Sequence, residues 1–171
     1  KTLDGTIVSV PKEFNYLTCH RQENTQDDET LKEILKAMEM MGIPTIYPVH
    51  PRNLATARRL RQANDFTHIL FVEPVGYLES NTLVSNAERI VTDSGGVQRE
   101  AFFAKKPCVT IFDYVAWPET MMNNYNQLSK PMAEEIVGKL KNEPVFNDSY
   151  RPFGDGEACE KMVEILRTVE L

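Results

Sequence analysis

The chain has 171 residues, 25 acidic against 19 basic side chains for a formal charge of −6, and 42% hydrophobic content. This is the length and composition of one globular domain, which excludes a disordered or collagen-like chain. No apolar run approaches the ~18 residues of a membrane span, no signal-peptide pattern opens the chain, and the acidic balance argues against nucleic-acid binding through a bulk basic surface.

In chain order, residues 1–12 read as a lead-in connector. Phe14–Cys19 is the first short apolar run and predicts a strand. Leu31, Ile34, Leu35, Met38 and Met41 then recur at helical spacing behind the cap candidates Asp28 and Thr30, and Gly42 and Pro44 stop the helix. Thr45–Val49 predicts the second strand and Leu54–Ala63 a helix. Ile69–Val72 predicts the third strand and Tyr77–Ala87 a helix. Ile90–Thr92 and Gly96–Ala104 form the fourth such pair. Cys108–Phe112 is the fifth strand, and Tyr125–Leu128 a candidate sixth. Met132–Leu140 is helical, and 155–170 closes the chain as a helix whose pattern is clearest over Glu157–Val169.

Near-continuous apolar runs of ~4–6 residues read as strands buried on both faces. Their alternation with helices predicts an α/β fold, a Rossmann-like doubly wound parallel sheet formed by one domain over 1–171. Pro48, Pro51 and Pro74 fall where the chain leaves the sheet, so no ladder hydrogen bond is lost. Cys19, Cys108 and Cys159 show neither CxxC nor zinc spacing. With no activating base nearby in sequence they read as inert, reduced thiols of a cytoplasmic protein. No metal is expected, because no two ligand candidates share a helical face at ligand spacing, and no cofactor is expected either.

Ligands of such sheets bind beyond the carboxyl ends of the strands. Polar groups collect there: His20-Arg21-Gln22-Glu23-Asn24, His50-Pro51-Arg52, Glu73-Pro74, Asp93-Ser94-Gly95-Gly96, and Asp113 followed by Trp117-Pro118-Glu119. Ser94-Gly95-Gly96 joins a strand to a helix. It either cradles a phosphate on backbone N–H groups or only makes a tight turn. Glu100, one turn on, either accepts from sugar hydroxyls or is a solvated face. His20 and Arg21 offer donors to a diphosphate, or else His20 is a hydrogen-bonded, partly buried histidine and Arg21 a surface residue paired with Glu23. His50 carries the same ambiguity. His68 precedes a strand and reads as structural, Arg58-Arg59-Leu60-Arg61 as a solvated face, and Trp117 as a packing anchor that could also stack.

The ordered set His20-Arg21-x-Glu23-Asn24-Thr25, Tyr47-Pro48-Val49-His50-Pro51-Arg52, Glu73-Pro74-Val75-Gly76-Tyr77, Thr92-Asp93-Ser94-Gly95-Gly96-Val97-Gln98-x-Glu100-Ala101, Trp117-Pro118-Glu119 and Gly154-Asp155-Gly156 resembles the non-hydrolysing UDP-N-acetylglucosamine 2-epimerases. The resemblance spans Phe14 to Leu166 and covers only the C-terminal half of that family. It implies the C-terminal domain of a two-domain GT-B architecture whose N-terminal catalytic domain is absent, consistent with a chain that begins at Lys1 rather than Met. It also implies inversion at C2 of a UDP-N-acetylhexosamine by elimination and re-addition of UDP, the isolated piece being inactive. The partners implied are UDP, the UDP-sugar, the missing domain and, at full length, a second copy in a homodimer.

Carried over by position, the resemblance makes His20 the catalytic contact to the diphosphate. Ser94, Gly95 and Gly96 become phosphate donors and Glu100 the ribose acceptor. Arg21, Glu23 and His50 are similar to positions lining a regulatory UDP-sugar site. Phe112, Val115 and Ala116 depart from the family's Arg, Thr and Glu, which implies altered sugar recognition or weakened activity. The alternatives are the nucleotide-binding half of a glycosyltransferase and a non-catalytic nucleotide-binding module.

Overall fold

The computed structural model describes residues 1–168. Six parallel strands form one sheet: β1 (Asn15–Thr18), β2 (Thr45–Pro48), β3 (Ile69–Val72), β4 (Ile90–Thr92), β5 (Cys108–Ile111) and β6 (Asn126–Ser129), in the order β3-β2-β1-β4-β5-β6. β1 pairs with β2 on one side and with β4 on the other, the latter in the register Tyr16↔Ile90, Leu17↔Val91, Thr18↔Thr92. The strand order reverses between β1 and β4, so a crevice opens beyond their carboxyl ends.

Seven helices occur among the described residues: α1 (Gln22–Thr25), α2 (Asp28–Met40), α3 (Leu54–Ala63), α4 (Tyr77–Asn86), α5 (Gly95–Phe103), α6 (Ala133–Leu140) and α7 (Ala158–Thr168). Successive strand residues point to opposite faces, and the core divides accordingly. Leu17, Tyr47, Val91 and Val109 pack with Leu31, Ile34 and Met38 of α2, Leu60 of α3 and Ile136 of α6. Tyr16, Ile46, Ile90 and Cys108 pack with Val84 of α4 and with Val97 and Ala101 of α5. Both faces are covered, which explains why the inner strands are buried along their length without an in–out alternation.

The elements follow the sequence closely, with local corrections. The N-cap of α2 is Asp27, whose carboxylate accepts from the Thr30 N–H at 2.7 Å, rather than Asp28 or Thr30. Asp28 instead pairs with Arg59 at 2.7 Å. The connector does not float free at its start. Thr2 bridges antiparallel to Val72, and the Leu3 N–H donates to the Phe71 carbonyl at 3.1 Å, covering the free edge of β3. The strand expected over Tyr125–Leu128 lies one residue later. α1 and the 3₁₀ turns Pro51–Asn53 and Pro118–Asn124 carry no periodicity that a sequence pattern detects. α7 buries none of its side chains, and its Ile165 and Leu166 are 60% and 74% exposed. The end of the expected terminal helix, 169–170, lies outside the described residues. Among the described residues no helix is long and apolar enough to cross a membrane.

Candidate functional site

The reversal point is closed by one side chain. Asp93, directly after β4, is wholly buried. Its carboxylate accepts from the backbone N–H of His20 at 2.9 Å and of Arg21 at 2.8 Å, and from Asn24 Nδ2 at 3.2 Å. The imidazole Nδ1 of His20 lies 2.9 Å from the other carboxylate oxygen. Burial alone would raise the Asp93 carboxyl, but the hydrogen bonds from the His20 ring and the two backbone N–H groups outweigh it and hold it below its ordinary value. The same hydrogen bond pushes His20 above the usual histidine range, against its partial burial. Behind this contact the Thr18 and Thr92 hydroxyls meet at 2.6 Å, and Thr92 Oγ1 accepts from the Ser94 N–H at 2.9 Å. Along the chain Asp93 stands out only as a member of the Asp93-Ser94-Gly95-Gly96 motif, because its role depends on partners more than 65 residues away.

Ser94 is the N-cap of α5, its hydroxyl oxygen accepting from the Val97 N–H at 3.4 Å. Gly95 and Gly96 are the first two residues of that helix, so their N–H groups have no intrahelical acceptor and point outward. A Cβ at Gly96 would meet nothing nearer than Ser94 Oγ at 3.6 Å. At Gly95 it would meet the Trp117 indole nitrogen at 3.2 Å. Trp117 therefore walls one side of the glycine turn, with the Arg99 guanidinium stacked 4.3 Å from its ring centroid. Glu100 is half-exposed one turn into α5. Its charge reaches Tyr16 on β1, whose phenol is raised first by burial and also by Glu100, and whose hydroxyl meets Ser80 Oγ at 2.9 Å.

The remaining expected residues fall into two hollows. His50 stands beside His20, ring centroids 5.8 Å apart. Its Nδ1 accepts from the Arg52 N–H at 3.2 Å, and burial, then the charges of His20 and Arg52, hold it below the usual histidine range. The two histidines line a hollow of about 170 Å³ together with Tyr16, Pro48, Val75 and Ser80. Arg21 and Glu23 line a different hollow, of about 390 Å³, with Phe112, Asp113 and Lys130. Arg21 does not pair with Glu23. Its Nε donates to the Asp93 carbonyl at 2.9 Å and its Nη1 to the Tyr114 hydroxyl at 3.0 Å, while its guanidinium lies 4.5 Å from the Phe112 ring centroid. Arg21, Glu23 and His50 are thus divided between the two hollows. His68 is tied to Glu39 at 2.8 Å and far from either.

Cys19 is buried, and burial, with Asp93 beside it, pushes its thiol well up, so it offers no thiolate. Among the described residues no three His, Cys, Asp or Glu side chains group to hold a metal ion. What the edge presents is a cluster of N–H donors and a hydroxyl beside a histidine whose cation is favoured, with a carboxylate one helical turn away. That set is suited to a phosphorylated ligand whose hydroxyls face Glu100.

Comparison with known proteins agrees with this chemistry. A family model described as UDP-N-acetylglucosamine 2-epimerase matches residues 3–167. A UDP-N-acetylglucosamine 2-epimerase homolog of Methanococcus maripaludis is 37% identical over 99% of this chain and 48% of its own length. The structure of UDP-GlcNAc 2-epimerase from Methanocaldococcus jannaschii is similar with a TM-score of 0.77 and 34% identity, over 94% of this chain and 47% of that one. A second structure of that enzyme holds UDP-GlcNAc and UDP. The UDP-2,3-diacetamido-2,3-dideoxy-D-glucuronate 2-epimerase of Pseudomonas aeruginosa is 35% identical over 90% of this chain and 44% of its own. The chain spans about half the length of the curated relatives it matches.

Proposed function

The chain belongs to the UDP-N-acetylglucosamine 2-epimerase family, and on that premise we propose that it is the UDP-holding half of an isomerase that inverts C2 of a UDP-N-acetylhexosamine. In this reading Ser94, Gly95 and Gly96 donate to the diphosphate, and His20 meets the oxygen that departs with UDP. Glu100 accepts from the ribose hydroxyls, and the base lies toward the hollow of Tyr16, Pro48 and Ser80. Loss of the C2 proton together with UDP leaves a glycal; UDP then re-adds at C1 while a proton returns to the opposite face of C2, which inverts C2. Preorganised donors stabilise the charge that develops on the leaving diphosphate. The acidic groups that exchange the proton at C2 come from the other half of the enzyme, so this chain alone binds UDP without turnover.

One observation carries the reading most. The Asp93 contact brings His20, from the end of β1, against the Ser94-Gly95-Gly96 turn, from the end of β4, with Glu100 on the same helix. Packing alone gives no reason for phosphate donors and a hydroxyl acceptor to converge at the one point where the strand order reverses. A modified hexosamine is the preferred sugar. Phe112 and Ala116 stand where the family resemblance expects an arginine and a glutamate, and Phe112 is occupied with Arg21. A relative that acts by name on a diacetamido glucuronate matches at 35% identity.

Calorimetry with UDP on the wild-type chain, Glu100→Ala and His20→Ala tests the proposal. Hydrogen bonds to charged groups are worth about 1.5–3 kcal/mol, so each variant should lose about 10- to 100-fold in affinity. Undiminished affinity in both would contradict it.

A further inference from the structure

We propose that Asp93 is a positioning residue, which holds the His20 ring by Nδ1 so that a protonated Nε2 faces the phosphate of the leaving nucleotide. The proposal rests on the UDP reading above for the identity of the ligand. The positioning itself rests on the contacts of this chain.

The carboxylate grips His20 at two points. It accepts the residue's backbone N–H at 2.9 Å and lies 2.9 Å from the ring's Nδ1. Main chain and ring are thereby tied to one buried anion, which removes the freedom of the ring to turn over. The anion is itself fixed by Arg21 N–H and Asn24 Nδ2. A carboxylate only accepts, so this contact favours a hydrogen on Nδ1 and hence the Nδ1–H tautomer of the neutral ring. Among the described residues Nε2 has no hydrogen-bond partner, and the His20 side chain is 42% exposed. A ring whose Nδ1 is already engaged can receive a second proton only at Nε2, on the side open to a ligand.

The groups around His20 favour that charge on His20 rather than on its neighbour. Asp93 faces it from the end of β4, and Arg21 and Arg52 oppose it from the turns after β1 and β2. His50, the other histidine at this edge, has its Nδ1 occupied as an acceptor by the Arg52 N–H. Its protonation is disfavoured by burial and by His20 itself. A single positive charge on the pair is therefore favoured on the ring that Asp93 backs rather than on His50. When the bond between the sugar and the diphosphate breaks, that charge meets the growing charge on the oxygen through a hydrogen bond from Nε2.

The chain has three histidines, so nitrogen-detected NMR of the wild-type protein resolves His20 and reads its tautomer directly. The expected result is Nδ1–H in the neutral ring, and a neutral ring protonated at Nε2 would overturn the proposal. This measurement needs no variant and stands even where a variant does not fold. In Asp93→Asn the His20 midpoint should fall by about one pH unit or more, and an unchanged midpoint would overturn the proposal. UDP affinity gives a readout that a merely structural role would not move. In the wild type it should drop about tenfold as pH rises through the His20 midpoint. In Asp93→Asn the same drop should come at lower pH, with low-pH affinity retained. A profile that does not move with the substitution would overturn the proposal. Absence of UDP binding by the wild type would instead fall on the proposed function, while the tautomer and midpoint, read without ligand, still decide the positioning role.

Discussion

Gly96→Ala separates the needs of the fold from the needs of the ligand. Gly96 is the second residue of α5, and its backbone is ordinary right-handed helix. A methyl there would meet only Ser94 Oγ, at 3.6 Å, an ordinary van der Waals contact. The fold should therefore gain from the substitution, since alanine replaces glycine in a helix at about 0.4–1 kcal/mol in its favour. For a domain of this size that is a rise in Tm of roughly 1–4 °C. The Cβ of a helical residue leans toward the helix N-terminus, which here is where the phosphate would sit. The methyl would hold the ligand off the Gly95 and Gly96 N–H groups and remove at least one charge-assisted hydrogen bond. UDP affinity should fall about tenfold or more. The assay is thermal unfolding beside UDP calorimetry on the same preparation. A stabilised variant with unchanged affinity would refute the assignment of the turn as the phosphate cradle. A destabilised variant would refute the packing argument.

Phe112→Ala should cost about 3 kcal/mol, because Phe112 is 7% exposed and stacks with both Arg21 and Tyr114. Its effect on UDP affinity should be small, since it lines the hollow away from His50, and a loss as large as that of Glu100→Ala would place the nucleotide in the wrong hollow. In the full-length enzyme, Phe112→Arg combined with Ala116→Glu should shift preference among UDP-hexosamines in turnover assays, and no change in activity or preference would sink the link between these positions and the sugar. The His20–Asp93 contact should also make stability depend on pH. The raised His20 contributes fully below the unfolded histidine value near 6.5 and is lost as pH rises through its folded value. The depressed Asp93 contributes above the unfolded carboxyl value near 3.9 and is lost as pH falls through its folded value. Melting from pH 4 to pH 9 should therefore show a fall above about pH 6.5 that His20→Gln flattens, and identical slopes in the two proteins would contradict this.

The strands were legible because both faces of the sheet are covered. Ile69–Val72 is apolar at every position, and Cys108–Ile111 is buried at every position with Thr110 its one polar residue, a pattern that surface strands do not show. The Ser94-Gly95-Gly96 turn was legible because its residue types are themselves the mechanism, a cap and two glycines opening a helix. What sequence could not supply was anything made by contact between distant segments. Asp93 becomes the hub of the site only when β1 lies beside β4. Arg21 stacks on Phe112, 91 residues further on, rather than pairing with Glu23 two residues away. Arg21 and His50 look like members of one group along the chain, but they follow different strands, and the sheet order sends their side chains to different hollows. The apolar pattern places the edge strand β6 one residue early because Asn126 and Ser129, both buried, carry no apolar signal. Asn126 is held instead by a hydrogen bond to the Gln98 carbonyl at 3.1 Å.

The central claim, that the edge between β1 and β4 holds the nucleotide, is tested most directly by titrating UDP into the isotope-labelled chain and following the amide resonances. The account predicts the largest shifts at Gly95, Gly96 and Val97, with His20 and Glu100 next and the Phe112–Lys130 hollow nearly silent. Shifts centred on Arg21, Phe112 and Lys130, with the Gly95 and Gly96 amides unmoved, would contradict it.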